Sequence, residues 1–241
     1  MRPRWSSGPE EILLVRHGES MANLADARAR DAGAEQLELD DRDADVKLTD
    51  TGRRQADALN AWLAGDGASS LPTAAISSPY RRAADTAYRA LDGHDVDVVL
   101  DERLRERDLG LFDGLTTTGV GSRHPEEAER RRKLGKFYYQ PPSGESWADV
   151  VLRVRSLLSD LREGFDGARV WIFTHQAVIM SFRYVLEGLT EQELLELDGS
   201  VTLGNANAGT GLPSSADGTW FGLSCKPTAK KTAMTTKIAS G

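Results

Sequence analysis

Residues 11–23, EILLVRHGESMAN, set a continuous apolar run directly against reactive polar groups, a juxtaposition that fits the carboxyl end of a buried strand. The four apolar residues at 12–15 predict a short strand covered on both faces, as in α/β proteins. Arg16 then offers a fixed positive fork suited to phosphate, and His17 can act as nucleophile or base. Neighbouring strand residues point to opposite faces, so Arg16 and His17 share a pocket only if the backbone leaves strand geometry. Gly18 permits that departure where a helix begins. The stretch predicts a bound anion.

Composition narrows where that anion comes from. A chain of 241 residues with 39% hydrophobic content supports one substantial core, so a single α/β domain is expected. A net charge of -7 excludes a general nucleic-acid or membrane-surface binder, because such affinity comes from clustered Lys and Arg. The anion site must therefore be local. A lone cysteine, Cys225, rules out an internal disulfide framework and a Cys-rich zinc site. With no apolar leader in MRPRWSSGPEE and no run of membrane-spanning length, the expected location is the cytoplasm.

Along the chain, strand and helix signals alternate. A helix rich in Ala and Arg is expected over 20–32, then an acidic, solvated excursion over 35–45. Thr49 caps a helix whose Ala56, Leu59, Trp62 and Leu63 recur at helical spacing, and which ends near Gly65 to Gly67. A strand at 73–76 precedes the cap Ser77-Ser78-Pro79 and a helix over 80–91. A third strand covers 96–100, and the charged run 101–114, DERLRERDLGLFDG, reads as an active-site segment. Residues 123–139 read as part of an exposed helical cap near 115–145. Ser146 and Asp149 form a capping box for a helix carrying Trp147, Val150, Val151, Val154, Leu157, Leu158 and Leu161 on one face. A buried strand at 169–173 runs into Thr174-His175-Gln176 and an apolar helix to 186, and Thr190 with Glu193 caps a short helix to 197. Residues 204–218 read as a loop, 219–224 as a final edge strand, and 225–241 as a disordered basic tail beyond a single domain at 1–224.

Such alternation predicts a mostly parallel sheet, whose ligands bind beyond the carboxyl ends of its strands. Arg16 and His17, Arg82, and His175 are each delivered to that edge by a different strand. A single His or Arg at a strand end is ordinarily a surface or hydrogen-bonding residue. Two of the four histidines in that setting, joined by arginines, instead point to a catalytic phosphate pocket. His94 and His124 lack the setting and are expected at the surface. Two histidines and an acid would also suit zinc, but neighbouring arginines repel a cation while attracting phosphate. No metal and no cofactor are expected. Ser20 and the backbone amides after His17 are candidate donors to an anion at a helix start.

Taken together, these blocks resemble the histidine phosphatase, or phosphoglycerate mutase-like, superfamily across 12–197. The resemblance rests on RHGES (16–20), LTDTG (48–52), SSPYRRAADTA (77–87), LRERDLGLFDG (104–114), SGES (143–146) and THQ (174–176), in this order. It implies a three-layer α/β/α sandwich and a phosphohistidine enzyme. His17 resembles the transiently phosphorylated nucleophile, and Arg16, Arg82 and His175 the rest of the phosphate pocket. Arg82, rather than Arg81, stands directly before Ala with Thr-Ala following, as in the family. Glu106 matches the acid of a Leu-x-Glu segment that protonates the leaving oxygen, and Asn23 an accessory phosphate contact.

The implied activity is hydrolysis of a small phosphoester. Mutase-type transfer is the alternative, but an Asn-rich, Gly-Trp-containing stretch found after the first motif of cofactor-dependent mutases has no counterpart in 25–46. A non-catalytic phospholigand-binding regulator is the second alternative, disfavoured because His17, Glu106, His175 and both arginines are retained. Local similarity to the fructose-2,6-bisphosphatase branch, through HPEE (124–127), KFYYQ (136–140), SGES and THQAV (174–178), assigns Arg132, Lys136 and Gln176 to a second phosphate or a sugar. The sequence departs from that branch at Met180, where the branch has Arg, and at Trp147, where it has Tyr. A solvated helix face is the competing reading of 130–136. A homodimer is compatible with these features.

Overall fold

The computed structural model describes residues 8–200 and two strands at 222–226 and 233–237. The opening apolar run forms β1 (Glu11–Arg16), and a serine-capped α1 (Met21–Asp31) follows it after a short turn. Next come α2 (Asp50–Ala64), β2 (Ala74–Ser77), α3 (Arg81–Ala90) and β3 (Val98–Leu100). The helices α4 (Thr117–Arg123) and α5 (Pro125–Leu134) precede α6 (Trp147–Gly164), β4 (Arg169–Thr174), α7 (Gln176–Arg183) and α8 (Glu191–Ser200). Two final strands, β5 (Gly222–Lys226) and β6 (Ala233–Lys237), complete the sheet.

The strand order is β3-β2-β4-β1-β5-β6; the first four are parallel, β5 runs antiparallel beside β1, and β6 runs antiparallel to β5 at the edge. Alternation along each strand explains the layers. Ile12, Leu14, Ile76, Val170 and Ile172 pack with the apolar faces of α6 and α7. The intervening Leu13, Val15, Ala75, Trp171 and Phe173 pack with α2 and α3 on the opposite face. The result is the α/β/α sandwich. Ser146 and Asp149 form the expected capping box of α6, whose buried stripe is the predicted one.

Several expectations need correction. The helical region over 123–139 is divided between α4 and α5 at His124-Pro125, because proline cannot continue α4 but suits the first turn of the next helix. Gly135, at φ 80, then ends α5 in a conformation that glycine adopts without a side-chain clash. The last strands differ as well. The strand expected at 219–224 is described as Gly222–Lys226, which pairs with β1 at Ser224 and Cys225, and Ala233–Lys237 is a strand within the stretch expected to be a disordered tail; residues 219–221 lie outside the described residues. The expected loop at 204–218 lies outside the described residues.

Residues 35–45 are not a freely solvated excursion. Thr116 donates its backbone N–H to Glu35 and its hydroxyl to Ala34, and Leu37 donates to Gly114 O. At the other end, Val46 and Leu48 are fully buried and Met21 donates to Lys47 O. Glu38, Asp40 and Asp41 face water, while the backbone beneath them is fastened to α4 and to the start of α1.

The turn after β1 is pressed against α2. A Cβ added at Gly52 would lie 2.0 Å from Glu19 O, and one at Gly18 2.6 Å from Gly52 O. Gly52→Ala should therefore displace the 17–19 turn and destabilise the fold by about 1–3 kcal/mol, measurable as a lower urea midpoint. An unchanged midpoint would show that the two backbones can separate without loss.

Candidate active site

Parallel pairing of β1 with β4 sets Arg16 opposite Thr174, and β2 lies on the other side of β4 with Ser77 opposite Phe173. The carboxyl ends of three adjacent strands therefore deliver Arg16-His17, His175 and the start of α3 to one place. Thr174 donates its hydroxyl to Leu104 O at 2.7 Å, which ties the 101–114 segment, and with it Glu106, to the same edge.

His17 is 6% exposed. Its Nδ1 lies 2.8 Å from Gly18 O, so Nδ1 carries the proton and Nε2 keeps its lone pair. Arg82 Nε–H points at that lone pair from 3.3 Å. Burial first, then the charges of Arg16 and Arg82, push the imidazole pKa well below its ordinary value, so it is neutral at pH 7. Thr86 joins the two elements: it accepts from Gly18 N–H at 3.1 Å and donates to Arg82 O at 2.6 Å.

His175 is fully buried, with its ring centroid 5.1 Å from that of His17 and 5.5 Å from that of Tyr80. Its Nε2 lies 2.8 Å from Ser78 Oγ, which already accepts from Tyr80 N–H at 3.2 Å. The Ser78 hydroxyl can give its own hydrogen to Nε2, and in that tautomer the histidine proton sits on Nδ1. That Nδ1 is buried with no hydrogen-bond partner. Burial is the first cause, and nearby Arg82 the second, of a pKa well below the usual histidine value.

Glu106 retains some solvent access, yet desolvation raises its carboxyl pKa, with the Arg107 N–H, Arg82 and Arg16 opposing the shift and Asp43 adding to it. The carboxylate accepts from Arg107 N–H at 2.9 Å. Its loop is held by Glu145, which pairs with Arg105 at 2.6 Å and Arg153 at 3.1 Å and accepts from Asp108 N–H. Arg153 also donates to the carbonyls of Arg103 and Glu106. SGES thus contains an organising acid whose role its sequence position did not reveal.

The backbone amides after β1 are not the anion cradle that the sequence suggested. His17 N–H donates to Thr174 O, Gly18 to Thr86, Glu19 to Gln55, Ser20 to Asn23 and Met21 to Lys47 O. Ser20 is fully buried and its hydroxyl donates to Asn23 Oδ1, so it caps α1 instead of facing the pocket. Asn23 is held in that cap by its carbonyl oxygen, which leaves its amide NH2 as the group it can present to an anion.

The more distant candidates separate. Arg132 is on the solvent side of α5, 73% exposed and paired with Glu129 at 2.8 Å, because its position follows the i,i+3 pattern of a helix that buries nothing. The preceding residue, Arg131, is the one whose charge acts on Arg107. Lys136 pairs with Asp198 at 2.8 Å, Gln176 donates to the same carboxylate at 3.4 Å, and Arg107 and Lys136 both lie over the Trp147 ring, at 5.6 and 6.0 Å. Beside Glu145, two further groups carry no clear mark in the sequence. Arg107 is marked only by adjacency to Glu106, and Asp43, which holds Arg82 at 2.9 Å, is one acid among many in 35–45. His94 and His124 are half-buried, and His124 packs on Phe112 with centroids 5.3 Å apart.

Among the described residues, no three His, Cys, Asp or Glu side chains are grouped to hold a metal ion, and no helix is long and apolar enough to cross a membrane.

In the unfolded chain His17 titrates near 6.5, while folding keeps it neutral, so below that pH the unfolded state binds more protons. Its contribution to stability is complete above pH 6.5 and is lost as the pH falls towards the depressed folded value. Between pH 7.5 and 5.5 that loss should be about 1.4 kcal/mol for each such histidine. Glu106, whose pKa is raised, acts in the opposite sense and is present in both proteins of the comparison. Denaturant midpoints should therefore show a smaller pH dependence in His17→Asn than in the wild type; equal dependence would contradict a depressed histidine pKa.

Comparison with known proteins bears on the whole arrangement. The bifunctional protein Rv2228c of Mycobacterium tuberculosis is 35% identical over 189 residues, which is 77% of this chain and 47% of that protein. A 6-phosphofructo-2-kinase/fructose-2,6-bisphosphatase of Caenorhabditis elegans is 32% identical over 189 residues, 78% of this chain and 36% of the relative. The chain therefore spans about half or less of the length of these curated relatives. The fold matches that of a mycobacterial glucosyl-3-phosphoglycerate phosphatase, Rv2419c, solved with inorganic phosphate, at a TM-score of 0.65 and 24% identity, covering 96% of this chain and 97% of that one. Because residues 12–206 match the family model for the histidine phosphatase superfamily (branch 1), this chain belongs to that superfamily.

Proposed function

We propose that the chain is a phosphomonoester hydrolase that works through a phosphohistidine at His17. The observation that carries this reading is the neutral His17 whose Nε2 lone pair faces Arg82, with the buried Nδ1 of His175 beside it. A phosphoryl group at that point meets a nucleophile and two kinds of donor, and its negative charge is compensated by arginines already held in the pocket. Arg16, Arg82 and His175 bind the equatorial oxygens, and catalysis rests on positioning and electrostatic stabilisation. Asn23 adds its amide.

In the first step His17 Nε2 forms a bond to phosphorus as the bond to the ester oxygen breaks. Glu106, whose pKa is raised by desolvation, gives its proton to the departing oxygen. Glu106 as carboxylate then takes a proton from water as water attacks the phosphoenzyme, releasing phosphate and restoring His17. Arginine is the suited partner because its planar fork stays charged in a desolvated pocket.

The substrate is a small phosphorylated metabolite, and the cations and amide at Arg107, Lys136 and Gln176 favour one with a further anionic or hydroxyl-rich part, such as a sugar phosphate. Two of these groups face Asp198, so a substrate would compete for them with an existing carboxylate. The relative from Caenorhabditis elegans is named for a sugar bisphosphatase activity and supports the same class.

A phosphometabolite panel read as released phosphate tests the reaction. Hydrolysis should vanish in His17→Ala and fall about 10²- to 10⁴-fold in Glu106→Gln. The trapped phosphoenzyme should be acid-labile and base-stable. Label on another residue would defeat the mechanism, and rapid isomerisation of 3-phosphoglycerate with its bisphosphate primer would replace hydrolysis with mutase chemistry.

A further inference from the structure

We infer that Asp43 is a positioning residue that fixes the orientation of Arg82 toward the reacting phosphorus. This rests on the reading of His17 and Arg82 given under the proposed function. Arg82 presents two hydrogen-bonding forks: an end-on one made by Nη1 and Nη2, and a side-on one made by Nε and Nη2. Asp43 takes the first. Its Oδ1 lies 2.9 Å from Nη1, its Oδ2 accepts from Nη2 at 3.2 Å, and its backbone carbonyl accepts from Nη1 at 2.5 Å. The side-on fork is left toward His17, with Nε 3.3 Å from the nucleophilic Nε2.

The carboxylate therefore does not stand between the arginine and the histidine. It grips the far edge, as bidentate Arg–carboxylate pairing allows, and aims the near edge. The Tyr80 ring, 5.4 Å from the guanidinium carbon, limits movement out of that plane. Arg82 is almost fully buried while Asp43 keeps a third of its side-chain surface exposed, so the acid approaches from the pocket's outer side.

Asp43 can do this because its segment is fastened at both ends. Arg42 pairs with Asp45 across the 3-10 turn Asp43–Asp45, Val46 is wholly buried, and the backbone at 35–37 is bonded to 114–116. The local cost is electrostatic: a negative charge beside a phosphate site weakens ground-state anion binding. An acid retained for that geometry trades affinity for aim, so its loss should affect kcat more than KM.

Steady-state kinetics on an aryl phosphate test this with Asp43→Ala, Asp43→Asn, Arg82→Ala and the Asp43→Ala/Arg82→Ala pair. Asp43→Ala should lower kcat by about tenfold or more with KM changed by less than about threefold, and Asp43→Asn, which keeps one acceptor, should recover part of the loss. In the Arg82→Ala background the same Asp43 change should alter kcat by less than about twofold, since nothing remains to be aimed. Wild-type kcat in Asp43→Ala, or an undiminished loss without Arg82, would overturn the inference. Failure of the hydrolase reading is distinguished by a wild type that His17→Ala does not silence. Arg82 itself then supplies the readout: its guanidinium NMR signals should be separate in the wild type and averaged by rotation in Asp43→Ala. Identical spectra would overturn the positioning role whatever the reaction.

Discussion

A neutral imidazole held against a guanidinium is the constraint on which the rest of this site depends. Arg82 would repel a protonated His17, and burial already disfavours that charge. The bond from Nδ1 to Gly18 O then decides which nitrogen keeps its lone pair. Keeping such a pair together requires that both partners be delivered by rigid elements. The β1–β4 register delivers the histidine, and α3, tied through Thr86 to Gly18, delivers the arginine.

Anion recognition follows a different division of labour from the one that helix starts usually offer. The amides after β1 are all engaged: His17 holds to β4, Gly18 to α3, Glu19 to α2, Ser20 to the cap of α1 and Met21 to Lys47. His17 is thereby held rigidly, and under the proposed mechanism charge recognition falls to side chains delivered by three strands. That division explains why two arginines and a second buried histidine converge there. It also gives the close approach of Gly18 to Gly52 a functional meaning, because a wider gap would loosen the histidine.

Much of this was legible in the sequence. Unbroken apolar runs at 12–15 and 170–173 mark strands buried on both faces, and the helical repeat from Trp147 to Leu161 marks the longest helix. Reactive residues placed at the ends of those runs gave the core of the pocket. What stayed hidden depends on long-range pairing. Nothing local distinguishes Asp43 from Asp40 or Asp41, because its partner is 39 residues away. Arg131 and Arg132 look alike until α5 fixes which way each points. Ser20 satisfies a cap that a strand-to-helix reading alone could assign equally to a ligand.

The absence of any buried residue along α5 separates two kinds of change in this protein. Substitutions in the β1 turn or on α3 disturb packing and chemistry together, so few are tolerated. Apart from Glu127, which accepts from the hydroxyl of the buried Tyr139, substitutions along α5 alter the charge pattern beside the Arg107, Lys136 and Trp147 cluster at little expense to folding. The exposed positions of one helix can therefore be rewritten while the pocket beneath it stays intact. Diversity of recognition on a constant reaction centre is the expected evolutionary behaviour of such an arrangement.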